Sequence, residues 1–194
     1  MSVKKDFVMP ILVLSLLCLL VSGALAVGNR FTQPVIEEAA AQRMEIARRE
    51  IIPQADGFEL VDIGSLHSEG GIPKTVSAAY RATNNTGFIF MTTTLGYGGE
   101  VKLICGINPE GKFIRAAVLA QTETKGFGTV VFDEPHAGQY SGRDKNGIEN
   151  VAAISGATIS SNALKKGIRD AFTAFEIISL SAQKNPDTGN GVVQ

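Results

Sequence analysis

Near the C-terminus, Ser155-Gly156-Ala157-Thr158-Ile159-Ser160-Ser161 combines small residues with hydroxyls just ahead of an apolar-periodic segment. Gly156 and Ala157 let the backbone turn sharply and come close to a ligand. Thr158, Ser160 and Ser161 bring hydroxyls to a helix entrance, where free backbone N–H groups and the positive end of the dipole point outward. That combination suits an anion, above all a phosphate. The same residue types also cap helices with no ligand involved, and residue chemistry alone leaves both readings open.

The segment needs a helix behind it. Ala163, Leu164, Ile168, Ala171, Phe172, Phe175 and Ile178 recur at helical spacing, with Lys165, Lys166, Arg169 and Asp170 expected to face away. Upstream the period shortens to that of strands: Phe58 to Ile63, Thr75 to Ala82, Phe88 to Thr94, Glu100 to Ile107 and Phe113 to Leu119. Asn108-Pro109-Glu110-Gly111 predicts a tight turn between the last two, making them an antiparallel hairpin, and Asn84-Asn85-Thr86-Gly87 predicts another turn. Residues 120–150, rich in Gly, Thr, Asp and Asn, read as long loops with little regular structure, and loops of that length inside a compact domain usually serve function. The fold class expected is α+β: an antiparallel sheet with flanking helices behind one N-terminal transmembrane helix.

That first helix is expected from Phe7 to Val27, 21 residues without a charge or a histidine, about the span of a bilayer's hydrocarbon core. Lys4 and Lys5 precede it and only Arg30 follows closely, so the positive-inside rule puts residues 1–6 in the cytoplasm and the domain at 28–181 across the membrane. Ala24-Leu25-Ala26 also fits a signal-peptide cleavage site, although the uncharged stretch exceeds an h-region of about 7–15 residues. Either way the domain lies outside the cytoplasm. Residues 28–34 read as a short linker, Gln33 to Ile51 as a helix stopped by Pro53, and 182–194 as a flexible tail.

Composition excludes several function classes. Among 194 residues the formal net charge is −1 with no long basic run, which argues against nucleic acid as a partner. Cys18 lies in the apolar stretch and Cys105 in an expected strand, so no disulfide is expected. His67 and His136 lack Cys or His neighbours at ligand spacing and read as ordinary surface or loop residues, with no metal implied. There is no Ser/His/Asp or Cys/His arrangement, and no Gly-x-Gly-x-x-Gly follows a strand.

Ser155-Gly156-Ala157-Thr158 resembles the flavinylation motif of the FMN-binding domain found in the G subunit of Rnf-type electron transport complexes and in its relative, the C subunit of the sodium-pumping NADH:quinone reductase. The likeness extends to Gly96-Tyr97-Gly98-Gly99 before a strand–turn–strand unit, and to Glu123-Thr124-Lys125-Gly126-Phe127-Gly128. Order and spacing agree over about residues 30–180, and the length suits the Rnf G subunit. The chain departs from the family at Ala152, where an Asp is usual three residues before the serine, and at Lys125, where a Pro is usual.

The resemblance implies covalent FMN, its phosphate esterified to Thr158 by a flavin transferase. It places Ser155, Gly156, Ala157, Ser160, Ser161, Gly96, Tyr97, Glu123, Thr124 and Gly126 around the cofactor. It implies an electron-relay protein, without catalysis of its own, in a membrane complex that couples ferredoxin/NAD electron transfer to Na⁺ or H⁺ translocation, with the other complex subunits as partners. Two other functions suit the same chain: an extracytoplasmic binding or assembly module without flavin, and the FMN-carrying component of another membrane reductase.

Overall fold

The computed structural model describes residues 3–68 and 71–184. The chain divides into two compact units, 1–44 and 45–194.

Helix α1 runs Val3–Ile51. Within the first unit, Leu12, Leu16, Leu20 and Leu25 are exposed. The helix is long and apolar enough to cross a membrane. Residues 28–34, expected as a linker, are helical instead. Pro34 costs one backbone donor, but the helix absorbs it. The Thr32 hydroxyl folds back to donate to the carbonyls of Gly28 at 3.2 Å and Asn29 at 3.3 Å.

The second unit is built on five antiparallel strands, β1 (Phe58–Val61), β2 (Val76–Ala82), β3 (Phe88–Leu95), β4 (Glu100–Ile107) and β5 (Phe113–Ala120), hydrogen-bonded in chain order. Every expected strand is present, with ends moved by a residue or two, and the Asn108–Gly111 turn joins β4 to β5. A short helix, α2 (Gly64–Ser68), lies between β1 and β2.

The sheet is covered on both faces. Phe90, Val101, Leu103, Cys105 and Ile107 point to one side and meet Leu164, Ile168, Ala171 and Phe172 of the long last helix, Thr158–Lys184. Asp170 of that helix, expected to face away, is buried and receives the Thr75 hydroxyl at 2.6 Å and Lys166 Nζ at 2.6 Å, which holds the helix to the start of β2. On the other side Ile89 and Ile104 meet Ala47, Ile51 and Ile52 at the end of α1. Double burial explains the uninterrupted run Leu103-Ile104-Cys105-Gly106-Ile107 in β4, where a one-sided strand would alternate.

Residues 120–150 carry short helical turns within the expected loops. They form 3-10 turns at Gly128–Phe132, Gly138–Tyr140 and Gly147–Asn150, and a single α-turn, α3, at Glu134–Ala137; the Thr158–Lys184 helix is therefore α4. Val131, His136, Tyr140 and Ile148 plug this segment into the core. The expected flexible tail lies outside the described residues from 185 onward, and 182–184 belong to α4.

Gly106 marks the tightest packing against α1. It pairs with Ile89, and a Cβ built on it would overlap Ile51 Cγ2. Gly106→Ala should cost about 1–3 kcal/mol by overpacking and Ile51→Ala about 2–5 kcal/mol by leaving a cavity. The double variant should cost less than the sum, because truncating Ile51 makes room for the new methyl, and urea unfolding of the four proteins in detergent measures that coupling.

Candidate functional site

The sequence before α4 folds into a turn closed by Ala157 N donating to Ile154 O at 3.0 Å. Gly156 stands at its third position with φ +84°, where a type II turn demands a positive angle. The first bond of α4 runs from Ser161 N to Ala157 O at 2.9 Å, so Ala157 is the N-cap and Thr158, Ile159 and Ser160 are the first three helical positions. An alanine has no side-chain acceptor, and the helix is not capped in the usual way. Among the described residues nothing accepts from the N–H groups of Thr158, Ile159 and Ser160, and the exposed Thr158 hydroxyl has no partner. The neighbouring hydroxyls are turned inward: buried Ser160 donates to Glu123 Oε2 at 2.5 Å, and buried Ser161 accepts from Ile154 N at 3.0 Å. Three open donors and a free hydroxyl thus share one helical turn at the positive end of a 27-residue helix.

Glu123 brings the other expected segments to this turn. The residue is 8% exposed, and its Oε1 accepts from Gly98 N at 3.0 Å while Oε2 serves Ser160. The Thr122 hydroxyl donates to Gly98 O at 3.0 Å, closing a second link to the β3–β4 turn. Gly96 and Gly128 leave the carboxylate its room, since a Cβ on either would overlap one of its oxygens. Beside these contacts four large apolar side chains are exposed: Leu95 and Tyr97 flank Gly96, Phe127 precedes Gly128, and Ile159 precedes Ser160.

The approach to the turn is clamped from α4. Lys165 Nζ donates to Val151 O at 2.7 Å and Glu149 O at 3.1 Å, and Arg169 grips the Glu149 carboxylate with two bonds of 2.7 and 2.8 Å. The Arg169 hydrogen bond holds the Glu149 carboxyl below its ordinary value and raises the guanidinium in return. His136, expected as an ordinary surface or loop residue, is buried, its ring set edge-on to Tyr140 at 5.9 Å. Burial first, and Lys165 second, lower its pKa, while burial pushes the Tyr140 hydroxyl up to about 12.

The expected site residues therefore divide. Gly96, Glu123, Ser155, Gly156, Ala157, Thr158, Ser160 and Ser161 converge on the start of α4, with Tyr97 beside them. Thr124 and Gly126 are exposed and among the described residues bond only to Phe127 and the turn that follows, the Thr124 carbonyl accepting from Phe127 N and Thr129 N and the Gly126 N–H donating to Thr129 Oγ1. Lys165 and Arg169 join the site without having been expected there, and Gly98, Phe127 and Gly128 belong to the two expected segments without having been singled out. The two glycines have a signal in their spacing within the motifs, whereas the basic pair on α4 looks in sequence like any solvated helix face.

The family model for the FMN-binding domain matches residues 96–173, which takes in the β3–β4 turn, the Glu123 loop and most of α4. Residues 96–173 of this sheet-and-helix unit form an FMN-binding domain. Similar proteins include the G subunit of the Na(+)-translocating ferredoxin:NAD(+) oxidoreductase complex of Acetobacterium woodii, 29% identical over 87% of this chain and 91% of the relative. The G subunit of the ion-translocating oxidoreductase complex of Stutzerimonas stutzeri is 30% identical over 90% of this chain and 83% of its own, and that of Methanosarcina acetivorans 29% over 88% and 95%. The chain belongs to the G-subunit family of Rnf-type, ion-translocating oxidoreductase complexes.

Two outcomes test the site's local physics. A Cβ on Gly156 meets nothing within 4 Å, so Gly156→Ala should cost only the left-handed strain, about 1–2 kcal/mol in urea unfolding. The Glu149–Arg169 contribution is full above the ordinary carboxyl value of 4.5 and is lost as pH falls through the depressed folded value. Both partners are nearly half exposed, so the effect is at most about 1 kcal/mol. Acidification below pH 4.5 should lower the melting temperature of the wild type more steeply than that of Glu149→Gln.

Proposed function

We propose that this chain carries FMN as a phosphoester on Thr158 and relays electrons within a membrane-bound Rnf-type complex, which couples ferredoxin/NAD electron transfer to Na⁺ or H⁺ translocation. The observation that carries the reading is the first turn of α4, where an exposed Thr158 hydroxyl and three N–H groups beside it have no partner among the described residues. A phosphate diester keeps two free oxygens and a negative charge, and this turn supplies donors and a favourable dipole for both. The inward hydroxyls of Ser160 and Ser161 are engaged elsewhere, which favours Thr158 as the acceptor over its neighbours on the helix.

A flavin transferase would form the new P–O bond to Thr158 Oγ1 as the hydroxyl proton leaves and a P–O bond of its flavin donor breaks. FMN, when bound, supplies transfer of one or two electrons. The chain's own part is to hold and orient. The α4 turn meets the phosphate, and Tyr97, Phe127 and Ile159 offer exposed apolar surface to a planar ring. Residues 7–27 span the membrane once with Lys4 and Lys5 on the cytoplasmic side, and the domain stands on the opposite side beside the rest of the complex.

Protein produced with an active flavin transferase, denatured and separated on a gel, should fluoresce under ultraviolet light. Thr158→Val should abolish that fluorescence and leave the circular dichroism unchanged. A wild-type band that stays dark overturns the covalent attachment.

A further inference from the structure

We propose that Glu123 is the positioning residue of the cofactor site: its one buried carboxylate joins the β3–β4 turn and the 123–128 loop to the first turn of α4, and does so without touching the cofactor. The inference deepens the reading that FMN sits on Thr158 and rests on it. The resemblance places Glu123 among the residues around the flavin, and the geometry assigns it a different role. Both carboxylate oxygens are already used, Oε1 by Gly98 N at 3.0 Å and Oε2 by Ser160 Oγ at 2.5 Å.

The space around them is used too. A Cβ at Gly96 would overlap Oε1, and one at Gly128 would overlap Oε2 and stand 2.9 Å from Ser160 Oγ. At Gly98 a Cβ would overlap Thr122 O and stand 3.1 Å from Glu123 Cα. Backbone from two loops is therefore pressed onto one acidic residue that is 8% exposed, and both of its oxygens face protein. A carboxylate is costly to bury unless its oxygens are satisfied, so all three segments must be in place together for it to be accommodated.

The four exposed apolar side chains of the site, Leu95, Tyr97, Phe127 and Ile159, are each sequence neighbours of a residue that contacts this carboxylate. Glu123 thus sets where those side chains stand relative to Thr158. Ser160 is its counterpart on α4, since its hydroxyl donates to the carboxylate one residue after an apolar neighbour and two after the acceptor.

The test uses the full chain in detergent. In protein made without a transferase, hydrogen exchange should quicken by about tenfold or more in Glu123→Ala across three segments at once, 95–99, 124–129 and 155–161. Glu123→Gln should recover part of the protection, because its amide can accept from Gly98 N–H and donate to Ser160 Oγ. Ser160→Ala should loosen the start of α4 more than the β3–β4 turn.

In protein made with a transferase, folded Glu123→Ala should still fluoresce on a denaturing gel, while its native flavin fluorescence shows lower anisotropy and a shifted midpoint potential, with Glu123→Gln between it and wild type. Exchange that rises in one segment alone, or flavin anisotropy and potential unchanged in the folded variants, overturns the proposal. Should Glu123→Ala fail to fold, Glu123→Gln and Ser160→Ala decide by the same readouts. A dark wild-type gel instead sinks the Thr158 attachment, and the exchange experiment still settles whether Glu123 links the three segments.

Discussion

Burial of β3 and β4 on both faces is the constraint from which the rest follows. Five antiparallel strands could leave one side to water, but Ile89 and Ile104 on one face and Phe90, Leu103 and Cys105 on the other are fully inaccessible. Each face needs a helix: the last turns of α1 take one and α4 the other. Because α4 is committed to the sheet through Leu164, Ile168, Ala171 and Phe172, and pinned by Asp170 to Thr75, the position of its first turn is not free. That turn comes to rest where the β3–β4 connection and the Glu123 loop can reach it. The core thus determines where the site stands.

Legibility in the sequence follows the physics of each segment. α4 is readable because a period of 3.6 survives where one face must be apolar, and the doubly buried strands because their short apolar runs are bounded by turn residues. Residues 28–34 mislead because Gly and Pro are local breakers, and their effect is absorbed by the long helix on either side of them. Residues 120–150 hide their short turns for a different reason. Val131, His136, Tyr140 and Ile148 each anchor a separate short turn, so their spacing carries no period at all. Burial of His136 has no signal in a histidine with polar neighbours, and that of Asp170 has none because its partner Thr75 lies 95 residues away.

The site itself is legible as a set of motifs and not as an arrangement. Hydroxyls in Ser155 to Ser161 all look equivalent in the sequence, yet the fold sorts them: Ser160 and Ser161 turn inward to hold Glu123 and the preceding turn, and Thr158 faces out. The departures from the family pattern fall at exposed positions, Ala152 and Lys125, outside the hydrogen bonds that assemble the site. They leave the inner frame of Gly98, Glu123 and Ser160 as it is.

The alanine at the N-cap of α4 has a consequence for the order of events in the life of the chain. A serine or asparagine there would satisfy the helix start permanently, and an incoming anion would have to compete with it. Ala157 leaves that end energetically incomplete, with three backbone donors that find no acceptor among the described residues. A bound anion would add to the folded state without displacing anything. Loaded and unloaded chains would then differ in robustness as well as in redox capacity, so that a cell's own proteolytic surveillance could tell finished molecules from unfinished ones.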